Sequence, residues 1–280
     1  MEESNLTLGT TRCGDTEFRW GERTYVMGIL NLSPDSFSED GLAGDMEAIV
    51  AHAKRLVVEG ADIVDIGGES TRPGSSPLSV DEELRRVIPA VERLASEISV
   101  PLSIDTYKSE VASQALKAGA GMINDVWGSE RDPKLAQVAS EAGVPVVLVS
   151  NQRGSSQRYD IIVEILSSLE RSIGLAIKAG VAEQNIIIDP GIGFGKSVKQ
   201  NLVVIRRLAE LKVLNRPVLL GTSRKFGTGL ASDQRLEATA ATVAIGIAHG
   251  IDMVRVHDVR QMVMVCRISD AIIRGKSDEL

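Results

Sequence analysis

Aromatic residues and cysteines are both scarce in this sequence. Phenylalanine, tyrosine and tryptophan make up 3% of its 280 residues, which leaves little for the aromatic platforms that bind single-stranded nucleic acid. The two cysteines, Cys13 and Cys266, stand near opposite ends of the chain and form no CxxC pair. We therefore expect two reduced thiols, and neither a disulfide nor a metal-thiolate site.

Long apolar runs and an excess of positive charge are also missing. No run approaches the roughly 18 apolar residues of a membrane helix, and no signal segment is visible at the N-terminus. The formal net charge of -7 disfavours general binding to nucleic acid and to anionic membranes. These absences predict a soluble, cytoplasmic protein and leave open an anionic small ligand where a few Arg, Lys or His side chains converge.

The sequence does contain a regular alternation of short β-branched runs and segments with helical periodicity. Eight segments of each kind predict an α/β fold, a (β/α)8 TIM barrel that occupies residues 1–280 as one domain. Residues 1–24 are the expected leader, with a short β-hairpin around Gly14 that closes the bottom of the barrel. A doubly wound sheet is the alternative, but the Gly-x-Gly-x-x-Gly turn after its first strand is absent.

Five of the predicted helices are followed by a glycine that is expected to form a left-handed C-cap. These glycines are Gly60, Gly119, Gly143, Gly180 and Gly250. The predicted strands cover residues 25–31, 62–66, 101–105, 121–125, 145–149, 185–189, 217–221 and 252–257. The predicted helices cover residues 46–59, 80–97, 109–117, 133–142, 161–179, 198–211, 237–248 and 259–274.

The predicted strands end in, or are directly followed by, polar residues. Because the C-terminal ends of barrel strands face one pocket, we expect these side chains to converge. A single Asp or Asn after a strand is often only a helix N-cap, but eight aligned endings favour a shared site. The endings are Asn31, Asp65 with Glu69, Asp105, Asn124 with Asp125, Ser150 with Asn151, Asp189, Ser223 with Lys225, and Arg255 with His257.

These side chains divide into three groups by chemistry. Carboxylates, an amide and a lysine suit a flat, nitrogen-rich heterocycle; they are Asp105, Asn124, Asp189 and Lys225. Cationic side chains suit a phosphate-type group; they are Arg72, Arg224, Arg255 and His257. The neutral oxygen of Asn31 suits Mg²⁺ that takes its remaining ligands from phosphate and water.

Seven ordered motifs resemble those of the dihydropteroate synthase family and span the chain from about residue 25 to its C-terminus. Three of them are Gly28-Ile-Leu-Asn-Leu-Ser-Pro-Asp-Ser-Phe-Ser38, Asp65-Ile-Gly-Gly-Glu-Ser-Thr-Arg-Pro-Gly74 and Ser103-Ile-Asp-Thr106. The others are Ile123-Asn-Asp125, Asp189-Pro-Gly-Ile-Gly-Phe-Gly-Lys196, Ser223-Arg-Lys225 and Arg255-Val-His-Asp258. The resemblance implies a (β/α)8 barrel that joins p-aminobenzoate to 6-hydroxymethyl-7,8-dihydropterin pyrophosphate, releasing pyrophosphate and 7,8-dihydropteroate.

The resemblance also implies roles for individual residues. The pterin would be bound by Asp105, Asn124, Asp189 and Lys225, with Arg255 against its face. The pyrophosphate would be held by Thr71, Arg72, Arg255 and His257, and Mg²⁺ would be contacted by Asn31. Asp35, Phe37 and Pro73 would lie in two closing loops, and Phe194 with Lys225 would line the p-aminobenzoate pocket. Lys225, Asp105 and Asp35 are the expected catalytic residues. A homodimer and sensitivity to sulfonamides are implied as well.

Two positions depart from the family pattern. Ser150 and Asn151 follow the fifth strand where the family commonly has a histidine, and Phe226 replaces a serine beside the p-aminobenzoate site. We expect Phe226 to alter the recognition of p-aminobenzoate and of sulfonamides. Two other functions stay open: a methyltransferase that acts on a corrinoid protein, and a pterin-binding protein without catalysis. The cationic motifs argue against the methyltransferase, which has no pyrophosphate to bind.

Overall fold

The computed structural model describes residues 8–32, 45–70, 76–154, 159–226 and 234–275. An antiparallel hairpin comes first, with β1 at Thr10–Cys13 and β2 at Thr16–Arg19. The parallel strands are β3 Tyr25–Asn31, β4 Ile63–Gly67, β5 Leu102–Asp105, β6 Met122–Asp125, β7 Val146–Val149, β8 Ile186–Asp189, β9 Leu219–Leu220 and β10 Met253–Val256. The α-helices of the described ranges are α1 Met46–Val58, α2 Val80–Glu97, α3 Ser109–Lys117, α4 Lys134–Ala142, α5 Ile161–Lys178, α6 Val198–Arg206, α7 Gln234–Ala248 and α8 Val259–Arg274.

The eight parallel strands close into a barrel. Their order is β8-β7-β6-β5-β4-β3-β10-β9, and a parallel bridge between Ile188 and Val218 joins the two ends of this sheet. The Ile188 N–H donates to the Pro217 carbonyl at 2.9 Å across the same seam. The predicted TIM barrel is therefore confirmed, and the doubly wound alternative, an open sheet, is wrong.

Most predicted helix and strand ends lie within a few residues of those in the structure. The five predicted C-cap glycines all have positive φ, from 67° at Gly143 to 116° at Gly119, a conformation that glycine adopts without strain. The sixth helix, α6, is an exception, because it ends at Arg206 and not at residue 211. Arg207 leaves the helical conformation with φ -116° and ψ 17°, and a 3-10 segment follows at Leu208–Leu214.

The hairpin closes the N-terminal mouth of the barrel, as predicted. Phe18 stacks on Trp20 with ring centres 5.6 Å apart, and it meets the edge of Tyr25 at 4.9 Å. These rings are continuous with the side chains that fill the barrel interior. The interior side chains include Met27, Ile63, Met122, Val147, Ile187, Leu219 and Met253. The C-terminal mouth consequently remains the side on which a ligand site can form.

Both cysteines are free and buried, in agreement with the expected thiols. Cys13 packs in the barrel interior, and Cys266 packs between the strands and the surrounding helices. In the part of the chain that the structure describes, no helix combines the length and the apolar character that a membrane span requires.

We predict that Phe18→Ala destabilises the whole barrel, because the Phe18 side chain is fully buried between the hairpin and the strands. The loss of such a ring from a packed core costs about 3–5 kcal/mol of unfolding free energy. Urea denaturation would measure it, with Arg19→Ala as the control, since the Arg19 side chain is 60% exposed. A cost of only about 0.5 kcal/mol, as for a surface substitution, would show that the hairpin is not part of the cooperative core.

Candidate active site

Polar side chains at the C-terminal ends of the strands gather at one mouth of the barrel. Asn31, Asp105 and Asp189 are the last residues of β3, β5 and β8. In the strand ladders Asp105 is paired with Gly67 on one side and with Asn124 on the other. The parallel register thus brings the predicted endings together, because every strand finishes at the same level of the barrel.

Arg255 connects three strands across the pocket floor. From β10 its Nε donates to Asp65 Oδ2 at 2.6 Å, and its Nη2 donates to Asp105 Oδ2 at 2.6 Å. Asn124 Nδ2 also donates to Asp65 Oδ2, at 3.1 Å. Asp65 is fully buried, and its other oxygen, Oδ1, accepts no hydrogen bond from the described residues.

The charges of this cluster depend on one another. Burial raises the pKa of Asp105 above the ordinary carboxyl value, while the charge of Arg255 opposes that shift and Asp65 adds to it. Burial lowers the pKa of Arg255, but Asp65 and Asp105 more than compensate and raise it above its ordinary value. A permanently charged guanidinium between two carboxylates therefore keeps the pocket floor acidic and in one geometry.

Asp189 and Lys225 form the opposite wall. Asp189 Oδ1 accepts a hydrogen bond from the Gly191 N–H at 2.6 Å, and Lys225 Nζ donates to the Ile192 carbonyl at 2.7 Å. A Cβ atom at Gly221 would lie 3.6 Å from Asp189 Oδ2 and 3.7 Å from Lys225 Nζ. The two charged groups thus approach the same glycine.

The surrounding protein atoms change the acidity of both groups, of which Asp189 is buried and Lys225 keeps part of its side chain exposed. Burial lowers the pKa of Lys225 to about 8, although the Asp189 carboxylate opposes this shift. Burial likewise raises the pKa of Asp189, and Lys225 opposes it. Lys225 is accordingly a cation near neutral pH that can lose its proton at mildly alkaline pH.

An aromatic side chain completes this wall. The ring centre of Phe194 lies 4.6 Å from Lys225 Nζ and 4.9 Å from Arg153 Cζ, so two cations contact one ring. Phe194 is 9% exposed and stands in the glycine-rich segment after β8. A flat aromatic ligand would meet a stacking partner here.

His257 and Asn31 are neighbours at the same mouth of the barrel. The His257 Nδ1 atom lies 2.9 Å from Ser223 Oγ, which also accepts the His257 N–H at 3.1 Å. Asn31 Nδ2 lies 3.5 Å from His257 Nε2, so the Asn31 amide nitrogen faces the imidazole. Ser223 thereby orients the histidine ring at the pocket.

The donor chemistry at Asn31 fits Mg²⁺. With its nitrogen towards His257, Asn31 presents Oδ1 near the Gly67 backbone, where an added Cβ would lie 3.4 Å from it. Within the described ranges no group of three or more His, Cys, Asp or Glu side chains is placed to hold a metal. One neutral oxygen ligand suits Mg²⁺, which commonly takes most of its other ligands from water and substrate phosphates.

Some of the predicted side chains contact other parts of the protein, and some lie outside the described residues. Arg224 forms an ion pair with Asp258 at 2.8 Å, and Asp125 accepts hydrogen bonds from the Trp127 and Ser129 N–H groups as a turn cap. The Phe226 ring packs against the core between strands and helices. Residues outside the described ranges are Asp35, Phe37, Thr71, Arg72 and Pro73.

Sequence reasoning assigned no role to two buried lysines at this mouth. Lys108 donates to Glu83 and, at 2.6 Å, to Glu69, so one ammonium pairs with two carboxylates beside the pocket. Lys196 donates to three backbone carbonyls and is 8% exposed. Burial lowers the pKa of Lys196 below its ordinary value, while the charge of Asp189 opposes this shift. The glycine-rich run before Lys196 was the available signal, since glycines allow close backbone contact.

Comparison with known proteins identifies the family to which this chain is similar. Residues 27–257 match the model of the pterin binding enzyme family. The dihydropteroate synthase of Bacillus subtilis (strain 168) is 50% identical over 256 residues, which cover 90% of each chain.

Solved structures of related proteins also share the fold. A dihydropteroate synthase from Clostridium difficile, solved in the presence of pteroic acid, is 49% identical, with a TM-score of 0.88 and coverage of 92% of this chain and 99% of that one. The enzyme from Xanthomonas albilineans, solved with 4-aminobenzoic acid, is 41% identical, with a TM-score of 0.87 and coverage of 94% and 97%. The chain therefore belongs to the pterin-binding enzymes and, within them, to the dihydropteroate synthases, which are transferases of folate synthesis.

Proposed function

We propose that this chain joins p-aminobenzoate to 6-hydroxymethyl-7,8-dihydropterin pyrophosphate and releases pyrophosphate and 7,8-dihydropteroate. The observation that supports the proposal most directly is the joint placement of Asp105, Asn124, Asp189 and Lys225 at one mouth of the barrel. Relatives solved with pteroic acid and with 4-aminobenzoic acid agree with a pocket for both halves of the product.

The pterin is bound by the acidic floor and by Lys225. The carboxylates of Asp105 and Asp189 accept hydrogen bonds from the N–H groups of the aminopyrimidinone, and the Lys225 ammonium donates to its carbonyl or to a ring nitrogen. Asn124 is held in one orientation by its hydrogen bond to Asp65. The Arg255 guanidinium, fixed by two carboxylates, packs against the face of the ring.

The pyrophosphate is bound by cationic and polar side chains. The residues proposed to bind its oxygens are Thr71, Arg72, Arg255 and His257, and Ser223 keeps His257 in place. Mg²⁺, held through the Asn31 side chain, would supply positive charge next to the departing phosphate oxygens.

The reaction replaces a C–O bond at the pterin methylene carbon with a C–N bond. The C–O bond to pyrophosphate breaks, the amine nitrogen of p-aminobenzoate forms a C–N bond to the same carbon, and the amine then loses a proton. Phe194 and Lys225 border the p-aminobenzoate side. Pro73 is proposed to contribute to substrate binding, and Asp35 to act with Lys225 and Asp105 in catalysis. Water exclusion protects the electron-poor carbon from hydrolysis.

A second copy of the chain is proposed to cover an apolar face near the C-terminus. Ile245 of α7 and Met264, Ile268 and Ile272 of α8 have 43–74% of their surface exposed. The three α8 residues recur every fourth position and so share one helix face. Because α7 and α8 pack side by side, the four side chains extend one surface that suits a homodimer.

We also propose a cytoplasmic location and inhibition by sulfonamides, which mimic p-aminobenzoate. Two buried thiols without a disulfide suit a reducing compartment. Sulfonamides would compete for the surface beside Phe194 and Lys225, where p-aminobenzoate is proposed to bind.

Lys225→Met is predicted to reduce kcat/KM by about 100-fold or more, since it removes the cation that faces the pterin. Pyrophosphate release that requires both substrates is the assay. Lys199→Met serves as the matched control, because Lys199 is exposed on α6. Turnover retained in Lys225→Met would refute the assigned pocket. A folded wild-type protein without turnover, beside an active reference enzyme, would instead indicate a pterin-binding protein without catalysis.

The same lysine gives the pH dependence of pterin binding. With a pKa of about 8, Lys225 is charged below pH 8 and neutral above it, so wild-type affinity for the pterin pyrophosphate falls as the pH rises through that value. Calorimetric titrations on either side of pH 8 would measure the fall, and Lys225→Met should lack it.

Ile268→Asp is predicted to yield monomers, because it places a charge in the centre of the proposed dimer face. Light scattering after size exclusion would give the mass of the assembly. Val163→Asp is the control, since Val163 is 50% exposed but lies on α5. Equal masses for both variants would contradict a dimer through α7 and α8.

Phe226→Ser is predicted to shift the KM for p-aminobenzoate and the sulfonamide inhibition constant together, by about tenfold. The substitution replaces a partly buried ring that packs against the core with a small hydroxyl directly after Lys225. The KM for the pterin pyrophosphate is the internal reference and should change little. Identical sulfonamide inhibition of both proteins would contradict a role for this position.

A further inference from the structure

A buried lysine holds the turn that carries Phe194. Lys196 Nζ donates to the carbonyls of Ser150 at 2.9 Å, Gly191 at 2.9 Å and Phe194 at 3.4 Å. The residue is 8% exposed, so these oxygens take the place of water. A lysine ammonium has three N–H donors, which matches the three acceptors.

The three acceptors belong to two separate segments. Ser150 directly follows β7, whereas Gly191 and Phe194 form the two ends of the turn after β8, closed by the Phe194 N–H to Gly191 carbonyl bond at 3.1 Å. Lys196 therefore joins the ends of two neighbouring strands. Its own backbone is also held, because Asn201 Nδ2 donates to the Lys196 carbonyl at 3.3 Å.

The two segments approach each other too closely for any side chain between them. A Cβ atom at Gly191 would lie 2.0 Å from the Ser150 carbonyl oxygen, and one at Gly195 would lie 2.3 Å from the Gln152 carbonyl carbon. The Gln152 N–H donates to the Phe194 carbonyl at 3.1 Å across this contact. The position of Phe194 is thus set by backbone contacts that the Lys196 ammonium completes.

We propose that Lys196 is a positioning residue for the aromatic amine substrate. By holding residues 191–194 against Ser150, it keeps the Phe194 ring at the wall where p-aminobenzoate binds, without touching the substrate. The identity of that substrate rests on the proposed function. Asp105 and Asn124 lie on β5 and β6, away from the turn, whereas Asp189 and Lys225 bond to it at Gly191 and Ile192. Recognition of the pterin therefore depends on Lys196 only through half of its proposed residues.

Lys196→Met tests the proposal, because methionine keeps much of the volume and removes all three donors. The KM for p-aminobenzoate should rise about tenfold or more, since small displacements at a reacting pair are costly. The affinity for the pterin pyrophosphate, from calorimetry, should fall by a clearly smaller factor, because Asp105 and Asn124 do not depend on the turn. Hydrogen exchange should become faster in peptides that contain the Gln152 and Phe194 amides. Lys199→Met, the same change at an exposed site, should match the wild type in all measurements.

Several outcomes would overturn the positioning role. These are an equal loss for both substrates, a lower melting temperature without a change in the p-aminobenzoate KM, and unchanged exchange at the two amides. Lys196→Gln, which retains two donors, should give an intermediate KM and provides the test if the methionine variant does not fold. Failure of both variants to fold would assign Lys196 to stability alone. A wild type without turnover would refute the proposed function, while the exchange comparison would still decide whether Lys196 holds the turn.

Discussion

The guanidinium of Arg255 is the interaction on which the pocket floor depends. It reaches from β10 to carboxylates on β4 and β5, so one side chain joins strands that are not neighbours in the barrel. Without this cation, Asp65 and Asp105 would be two buried carboxylates close together, and at least one would have to take up a proton. The acidic, ordered floor that suits a pterin exists because the charge of Arg255 balances it.

The barrel supports this floor because apolar side chains fill one mouth and polar side chains line the other. At the N-terminal mouth the hairpin rings of Phe18 and Trp20 seal the interior, and the strand segments above them are apolar. At the C-terminal mouth the same strands end in carboxylates, amides and cations. A rigid, closed lower half allows the upper half to hold charged groups in fixed positions, because the cost of burying them is offset by packing elsewhere.

Two lysines near Phe194 show how environment separates residues of the same type. Lys225 reaches the pocket from the segment after β9 and contacts the Phe194 ring and the Ile192 carbonyl. Lys196 lies behind the turn and bonds only to backbone carbonyls among the contacts described above. Burial lowers the pKa of both, yet only Lys225 is placed to meet a ligand. Burial and charge alone do not identify a binding residue. The groups that the side chain contacts do.

The periodicity of the sequence determined the barrel, its hairpin and most element bounds, since each depends on local pattern and on turn residues such as Gly60 and Gly143. The polar strand endings also determined which residues share a mouth, because parallel strands place their ends at one level. The sequence did not show that Arg255 pairs with Asp65 and Asp105, that Arg224 turns to Asp258, or that α6 stops at Arg206. Those features, like the carbonyl cradle of Lys196, depend on distances between segments far apart in the chain. Only the closed tertiary structure brings such groups within hydrogen-bonding reach and removes the water that would otherwise compete for them.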